Sequence, residues 1–377
     1  MDVTQLAFNT ETMLAGLRRW VESESPTYDA AAVSRMVGVA AADLWDMGAL
    51  VEPLPAPPGL GACARAAFPH PRAGEPGILI MAHLDTVHPI GTLGRLPFRL
   101  DGGRCYGPGI LDMKGGGFIA LQAVHALANA GAATPLPVHV LLTCDEEIGS
   151  PGTRELILAE ASRHKNVLVP EPASQGHGVT TGRYAIARFK LTATGRASHA
   201  GARLKDGRSA IREMAKQILA IEAMTGEDCT FSVGVVHGGQ WVNCVATECR
   251  AEVLSMAKRQ SDLDAGIERM LALSHGDADG VGFQVELSVV RPVWEADAAT
   301  MRLYETARTV AASLGLDLPH GSSGGGSDGN FTGAAGIPTL DGLGLRGSGY
   351  HTLNEHIEVA SLAERGRLMA GLLLALE

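Results

Sequence analysis

The sequence predicts an α/β protein in which a larger domain with a mainly parallel sheet is interrupted by a smaller ferredoxin-like domain. Short apolar segments alternate with helical segments over residues 29–170, which is the pattern of a parallel sheet covered on both faces. From about residue 184 the pattern changes to alternating, half-exposed strands. The length of 377 residues also favours more than one domain.

The first half of the chain supplies the elements of the parallel sheet. Apolar residues at helical spacing predict a helix over residues 29–47, and a further helix is expected over 115–131. Three segments are short and apolar and therefore predict buried strands: GILIMA (77–82), PVHVLLT (137–143) and NVLVP (166–170).

The segment after residue 184 follows the order strand, helix, two strands, helix, strand, which is that of a ferredoxin-like unit. Its strands are expected at 184–193, 229–236, 244–255 and 281–290, and its helices at 207–223 and 261–274. A helix at 299–314 and an apolar segment at 337–344 then return to the earlier pattern. We therefore expect a larger domain in two parts, 1–183 and 292–377, with the inserted domain at 184–291.

Composition excludes several classes of partner. The chain has 31 basic and 41 acidic residues and a net charge of −10, which argues against nucleic acid and anionic membrane surfaces. The six cysteines contain no C-x-x-C pair and suggest no disulfide framework. Neither a secretion signal nor an apolar run of transmembrane length is found, so we expect a cytoplasmic protein.

The stretch TCDEEIGS (143–150) places Asp145, Glu146 and Glu147 directly after a predicted buried strand. Two carboxylates about 4 Å apart repel by roughly 4 kcal/mol at an effective dielectric constant of about 20. Either water screens these charges in a solvated turn, or a nearby cation offsets the repulsion.

Other polar side chains follow the other predicted strands. His83 and Asp85 follow the first strand, Glu171 follows the third, Asp112 ends a glycine-rich loop, and His351 follows the segment 337–344. Ligands of open α/β sheets gather beyond the carboxyl ends of the strands. Imidazole and carboxylate ligands without thiolate suit Zn²⁺, and Mn²⁺ or Co²⁺ also fit.

Seven stretches carry a resemblance to a known family: MAHLDTVHP, GPGILDMKGG, TCDEEIGSPGT, VPEPAS, GRASHAG, GGGSDGNFTGAAGIPTLDGLG and GSGYHT. Together they resemble the di-zinc metallohydrolases of the glutamate carboxypeptidase (carboxypeptidase G) type. That family also holds aminoacylase, acetylornithine deacetylase and succinyl-diaminopimelate desuccinylase. The resemblance runs from about residue 10 to the C-terminus.

The resemblance implies two Zn²⁺ ions per subunit. One ion would be held by His83, Asp112 and Glu171, and the second by Asp112, Glu147 and His351, so that Asp112 bridges the two. A cis peptide bond after Asp112 is implied as well.

The resemblance also implies catalytic roles. Glu146 would be the general base toward a metal-activated water, and Asp85 would orient His83. His199, on the inserted domain, would donate a hydrogen bond to the oxyanion. Asp145 is expected to support the turn. The implied reaction is cleavage of the amide bond of an N-acyl amino acid or of the C-terminal amino acid of a short peptide.

Substrate contacts are implied for Arg291, which would bind the substrate's carboxylate, and for Asn243. Leu254 occupies a position where many relatives carry arginine, which puts a preference for glutamate in doubt. The inserted domain is expected to act as a lid and to form a homodimer. In that dimer His199 would complete the active site of the other subunit.

Competing patterns lack the structural context that they need. Residues 324–329 satisfy GxGxxG and residues 321–325 satisfy GxSxG, but the sequence pattern predicts no strand directly before either, as a dinucleotide site or a serine hydrolase would require. Two alternatives within the family are an N-deacylase of the acetylornithine or succinyl-diaminopimelate type and a binding protein that has lost catalysis.

Overall fold

The computed structural model describes residues 1–277 and 280–377 of the chain, with Gln175 described by its backbone alone. These residues form two compact units. Unit 1 comprises Met1–Gly182, Glu295–Ser323 and Ser327–Glu377, and unit 2 comprises Arg183–Trp294 and Gly324–Gly326. Among the described residues, no helix has the length and apolar character needed to cross a membrane.

The elements are as follows. The helices are α1 (Thr10–Glu22), α2 (Ala30–Asp46), α3 (Gly115–Asn129), α4 (Arg154–Ala161), α5 (Ala210–Glu222), α6 (Gln260–Leu271), α7 (Ala298–Ser313), α8 (Gly329–Ala334) and α9 (Ala360–Ala375). The strands are β1 (Leu50–Leu54), β2 (Cys63–Ala67), β3 (Ile78–His83), β4 (Arg99–Asp101), β5 (Arg104–Tyr106), β6 (Val138–Thr143), β7 (Asn166–Leu168), β8 (Val179–Arg183), β9 (Ala185–Thr194), β10 (Cys229–Gly238), β11 (Glu248–Ala257), β12 (Gly282–Arg291), β13 (His320–Ser323), β14 (Thr339–Leu340), β15 (Gly347–Ser348) and β16 (His356–Glu358).

Unit 1 contains a mixed sheet in the order β1-β2-β6-β3-β7-β14. Strand β3 lies parallel to both β6 and β7, and β14 lies parallel to β7. At one end of the sheet, β1 pairs antiparallel with β2, and β2 pairs antiparallel with β6. Every residue of β3 is buried, as expected for a strand covered on both faces. A smaller sheet, in the order β15-β16-β5-β4, also belongs to this unit.

Unit 2 contains an antiparallel sheet in the order β10-β11-β9-β12. Helices α5 and α6 pack on one face of this sheet through a core that includes Phe189, Met214 and Phe283. The chain order is β9-α5-β10-β11-α6-β12, which is the ferredoxin-like order. The predicted fold class is therefore confirmed: a mainly parallel α/β unit and a separate antiparallel unit.

The predicted and observed elements differ most where the local pattern is weakest. Strand β11 begins at Glu248 rather than at residue 244, because Cys244 instead forms an isolated bridge with His199. Only Thr339–Leu340 of the apolar segment 337–344 forms a strand. Helices α1, α4, α8 and α9 are not predicted from the sequence, although α1 has Asn9 as its N-cap, a residue type that favours this position.

Candidate metal centre and active site

Three adjacent parallel strands bring their carboxyl ends to one edge of the unit 1 sheet. His83 is the last residue of β3 and pairs in register with Thr143, the last residue of β6. Glu146 and Glu147 follow β6 in a short 3-10 turn, and Glu171 lies three residues beyond the end of β7. The parallel register therefore places these groups side by side, as the sequence predicts.

Asp112 lies between the two predicted ligand imidazoles. Its Oδ1 is 3.2 Å from His83 Nε2, and its Oδ2 is 3.2 Å from His351 Nε2. His351 Nε2 is also 3.2 Å from Glu147 Oε2, and His83 Nε2 is 3.6 Å from Glu171 Oε1. One carboxylate thus faces two imidazoles through different oxygens, which is the arrangement that a bridging ligand needs.

The electrostatics of this cluster are dominated by its carboxylates. Burial raises the pKa of Asp112, but hydrogen bonds with His351 and His83 outweigh burial and hold that pKa below its usual range. Hydrogen bonds with Asp112 and Glu147 raise the pKa of His351 to about 11. Burial and the charge of Asp112 raise the pKa of Glu147 to about 7 and also raise the pKa of Glu171.

These residues fit a site for divalent cations. Burial lowers the pKa of His83, yet hydrogen bonds with Asp112 and Asp85 outweigh it and raise the pKa well above its usual value. The cluster therefore demands positive charge, which metal ions supply while leaving the imidazoles neutral and the carboxylates ionised. His83, Asp112 and Glu147 each offer a ligand atom, and the three atoms lie within 4.8 Å of one another.

Asp85 supports this cluster in more ways than the sequence predicts. His83 Nδ1 lies 3.0 Å from the backbone carbonyl of Asp85 and 3.4 Å from its carboxylate. The carboxylate accepts hydrogen bonds from the backbone N–H groups of Glu146 and Glu147, both at 3.2 Å, and from the hydroxyl of Thr27 at 2.7 Å. Asp85 therefore contacts His83 and also holds the acidic turn in place.

Asp145 supports the turn, as expected. It is fully buried and accepts hydrogen bonds from the backbone N–H of Gly152 at 2.7 Å and from the hydroxyl of Thr153 at 2.5 Å. Of the acidic triplet, Asp145 thus serves its own loop, whereas the carboxylates of Glu146 and Glu147 face the imidazoles of the cluster.

The backbone around the cluster takes uncommon conformations. The Asp112–Met113 peptide bond is cis, as the resemblance implies. His351 has a φ of 63°, a left-handed conformation that costs energy for a residue with a side chain and is concentrated at functional sites. A Cβ atom at Gly116 would lie 1.8 Å from the carbonyl oxygen of Pro170, so only glycine lets α3 begin this close to the Glu171 loop.

Two further predicted residues, His199 and Asn243, lie together in unit 2. The backbone carbonyl of Asn243 accepts a hydrogen bond from the N–H of Ala200 at 2.9 Å, and both predicted residues are exposed. The Nδ1 atom of His199 accepts hydrogen bonds from the N–H groups of Gly201 and Ala202, each at 3.1 Å. In neutral His199 the proton therefore resides on Nε2, which is left to donate.

Arg291 lies at the end of β12 in unit 2 and is buried, with 3% of its surface exposed. Its guanidinium lies next to Gly326, where a Cβ atom would come within 3.1 Å of Nη1. Leu254 pairs in register with Arg188 on the neighbouring strand β9. Leu254 thus has an arginine as its cross-strand neighbour.

Sequence reasoning missed Glu355, which is completely buried and lies four residues after His351. Its carboxylate accepts hydrogen bonds from the backbone N–H groups of Gly109, Leu111 and Asp112. The available signal was an acidic residue close in sequence to a candidate ligand, but the sequence carries no sign of its distant partners.

Comparison with known proteins identifies the family of the chain. A model described as peptidase family M20/M25/M40 matches residues 79–375. Carboxypeptidase G2 from Pseudomonas sp. (strain RS-16) is 30% identical over 315 residues, which cover 80% of this chain and 74% of the relative. A succinyl-diaminopimelate desuccinylase from Thioalkalivibrio sulfidiphilus is 25% identical over 327 residues, covering 80% and 84% of the two chains.

Comparison with solved structures supports the same fold. The structure of human carnosine dipeptidase 1 matches with a TM-score of 0.78 over 97% of both chains at 15% identity, a likeness that concerns the fold alone. The fold and the donor set thus define a metal-dependent hydrolase. The chain belongs to the M20/M25/M40 peptidase family.

Proposed function

We propose that this protein is a di-zinc hydrolase that cleaves the amide bond of an N-acyl amino acid or of the C-terminal amino acid of a short peptide. The observation that carries the proposal is the position of Asp112, whose two carboxylate oxygens each lie 3.2 Å from a different imidazole, those of His83 and His351. This geometry suits a carboxylate that bridges two ions.

The proposed ligands divide into two sets that share Asp112. His83 and Glu171 would complete the first set, and Glu147 and His351 the second. Zinc ions held there would act as Lewis acids that acidify a water molecule and polarise the scissile carbonyl.

Glu146 is the proposed general base. Its Oε2 lies 4.0 Å from His83 Nε2, and 8% of its surface is exposed, so the carboxylate lies beside the cluster rather than within a ligand pair. It would take the proton of the attacking water and deliver it to the leaving amide nitrogen as the C–N bond breaks, releasing a carboxylic acid and an amine.

Unit 2 would supply the groups that handle the substrate. The backbone bonds to Nδ1 of His199 fix the tautomer whose Nε2–H can donate to the oxyanion. Arg291 would bind the substrate's free carboxylate through its planar guanidinium, and Asn243 would contact the substrate beside His199. Arg188, opposite Leu254, offers a second cation for an acidic amino acid side chain.

A second copy of the chain is the proposed partner of unit 2. Strand β10 ends the sheet order, and its second half is exposed, with Val236 at 47%. Leu219 and Trp241 are also exposed, at 73% and 72%. Apolar exposure beside a sheet edge supports pairing across a two-fold axis.

The test is a substrate panel with released amine as the readout. Metal-loaded protein should release amino acid from N-acyl and folyl amino acids, whereas the Glu146→Gln variant should not. Preference for N-acetylornithine or N-succinyl-diaminopimelate would instead favour a deacylase, as two curated relatives are named for those activities. Binding of every panel member without turnover would contradict the proposal.

A further inference from the structure

The buried carboxylate of Glu355 accepts four hydrogen bonds. Its Oε1 accepts from the backbone N–H groups of Leu111 at 2.8 Å and Asp112 at 3.1 Å. Its Oε2 accepts from the backbone N–H of Gly109 at 2.9 Å and from Nε2 of His88 at 2.6 Å. Because both oxygens are occupied by donors, this carboxylate is poorly placed to act as a metal ligand itself.

These four bonds join three separate segments of unit 1, each of which carries a proposed ligand. His88 lies five residues after His83, the backbone donors lead into Asp112, and Glu355 lies four residues after His351. The bonds span 243–267 residues of sequence.

The pairing of two short strands explains why Glu355 lies next to the turn that contains Gly109, Leu111 and Asp112. Strand β16, which begins directly after Glu355, pairs antiparallel with β5, and β5 runs into the turn that contains Gly109. Three backbone N–H groups in that turn converge on one point, a concavity of the kind that binds anions. The side chain of Glu355 fills it.

The energetics favour a rigid arrangement. A fully buried carboxylate is costly unless hydrogen bonds satisfy it, and bonds to a charged acceptor are about twice as strong as neutral ones. The N–H of Asp112 belongs to the proposed bridging residue, so fixing this N–H restricts where the Asp112 carboxylate can point.

We propose that Glu355 is a positioning residue that, with His88 as its side-chain donor, holds the three ligand-bearing segments in the geometry required to bind the metal pair. It would touch neither substrate nor metal. This proposal rests on the ligands named under the proposed function, and it assigns a role to two residues outside that ligand set.

The first test measures metal binding by the Glu355→Gln variant without substrate. The amide keeps the shape of the side chain, but it turns one acceptor into a donor that faces other donors. We expect the dissociation constant for Co²⁺, measured by competition with a chelator, to rise about 10- to 100-fold. The Co²⁺ absorption spectrum, which reports ligand geometry, should change as well.

The matched control is Glu358→Gln, three residues further along the same segment. Glu358 is 42% exposed and pairs with Arg346 Nε at 2.9 Å. This variant should bind Co²⁺ with the affinity and spectrum of the wild type. Wild-type affinity and spectrum in Glu355→Gln, or equal losses in both variants, would overturn the proposal.

If Glu355→Gln does not fold, a pair of His88 variants tests whether Glu355 and His88 position the metal ligands. His88→Gln keeps a donor near the position of Nε2, whereas His88→Leu keeps the volume and removes the donor. The proposal requires weakened Co²⁺ binding in His88→Leu and near-normal binding in His88→Gln, and equal behaviour of the two would overturn it. Because no substrate is present, a wild type that binds Co²⁺ but cleaves no amide would contradict the proposed function without affecting this test.

Discussion

The two units hold most of their candidate functional side chains in opposite ways, the exceptions being the exposed His351 of unit 1 and the buried Arg291 of unit 2. In unit 1, His83 and Glu171 are buried, at 2% and 5% exposure, and the cluster is held by side chains brought together from distant segments. In unit 2, His199 and Asn243 are exposed, and hydrogen bonds to the backbone of the same unit hold their loops.

The difference reflects what each group has to do. Metal ligands must keep fixed distances, and burying several carboxylates is tolerated only when positive charge offsets their repulsion. The proposed oxyanion donor, His199, must stay accessible, and it needs only one proton in a defined position. Unit 1 should therefore depend on metal for its stability as well as its activity, and unit 2 should not.

Removal of metal is expected to have the largest effect. Chelation should abolish activity, and Zn²⁺, Mn²⁺ or Co²⁺ should restore it. The unfolding temperature should fall too, since a ligand at 100 times its Kd adds about 2.7 kcal/mol to the stability of the folded state. Full activity in a sample shown by atomic emission to be metal-free would contradict the metal centre.

Glu146→Gln should lower kcat by about 10²- to 10⁴-fold, the usual contribution of a general base. Metal content, measured as ions per chain, should stay at two because Glu146 is not a proposed ligand. Glu155→Gln, an exposed acid on α4, is the matched control and should behave as wild type. Loss of metal in Glu146→Gln would instead make Glu146 part of the ligand set.

The His199→Ala variant tests whether the exposed donor of unit 2 contributes to activity without contributing to stability. We expect kcat to fall about 10²- to 10³-fold, as when one oxyanion donor is removed, with metal affinity and unfolding temperature unchanged. His237→Ala, at an exposed histidine on β10, controls for the loss of an imidazole from this unit. A drop in stability that accounts for the lost activity would show that His199 has a structural role.

Arg291 should make the enzyme depend on a free carboxylate in its substrate. Hydrogen bonds to charged groups contribute about 1.5–3 kcal/mol, so amidated or esterified substrates should lose roughly 10- to 100-fold in kcat/KM. Arg291→Ala should erase this difference between substrates. If the wild type cleaves both forms equally well, Arg291 has another role.

The smallest expected signal comes from mixing two inactive variants, Glu146→Gln and His199→Ala, under conditions where subunits exchange. If His199 completes the site of the other subunit, a hybrid dimer contains one intact site. With half of the dimers hybrid, roughly a quarter of wild-type activity should return. No recovery, with exchange confirmed by mass spectrometry, would mean that His199 acts within its own chain or not at all.

The sequence alone determined the strands and the residues that follow them. The apolar segments of β3, β6 and β7 predict buried parallel strands, and parallel strands end at one edge of a sheet. His83, Glu147 and Glu171 could therefore be grouped from the sequence, together with Asp112 and His351, which follow a glycine-rich loop and the segment 337–344. The family resemblance then divided these residues into two ligand sets.

The tertiary structure decided which polar atoms meet. The sequence shows Asp145 and Glu147 as near neighbours in one acidic run, but only the fold directs the first to Gly152 and the second to His351. Glu355 has partners more than 240 residues away. The periodicity of apolar residues in a sequence depends on local conformation and burial. The contacts of a buried charge depend instead on how distant segments pack around it.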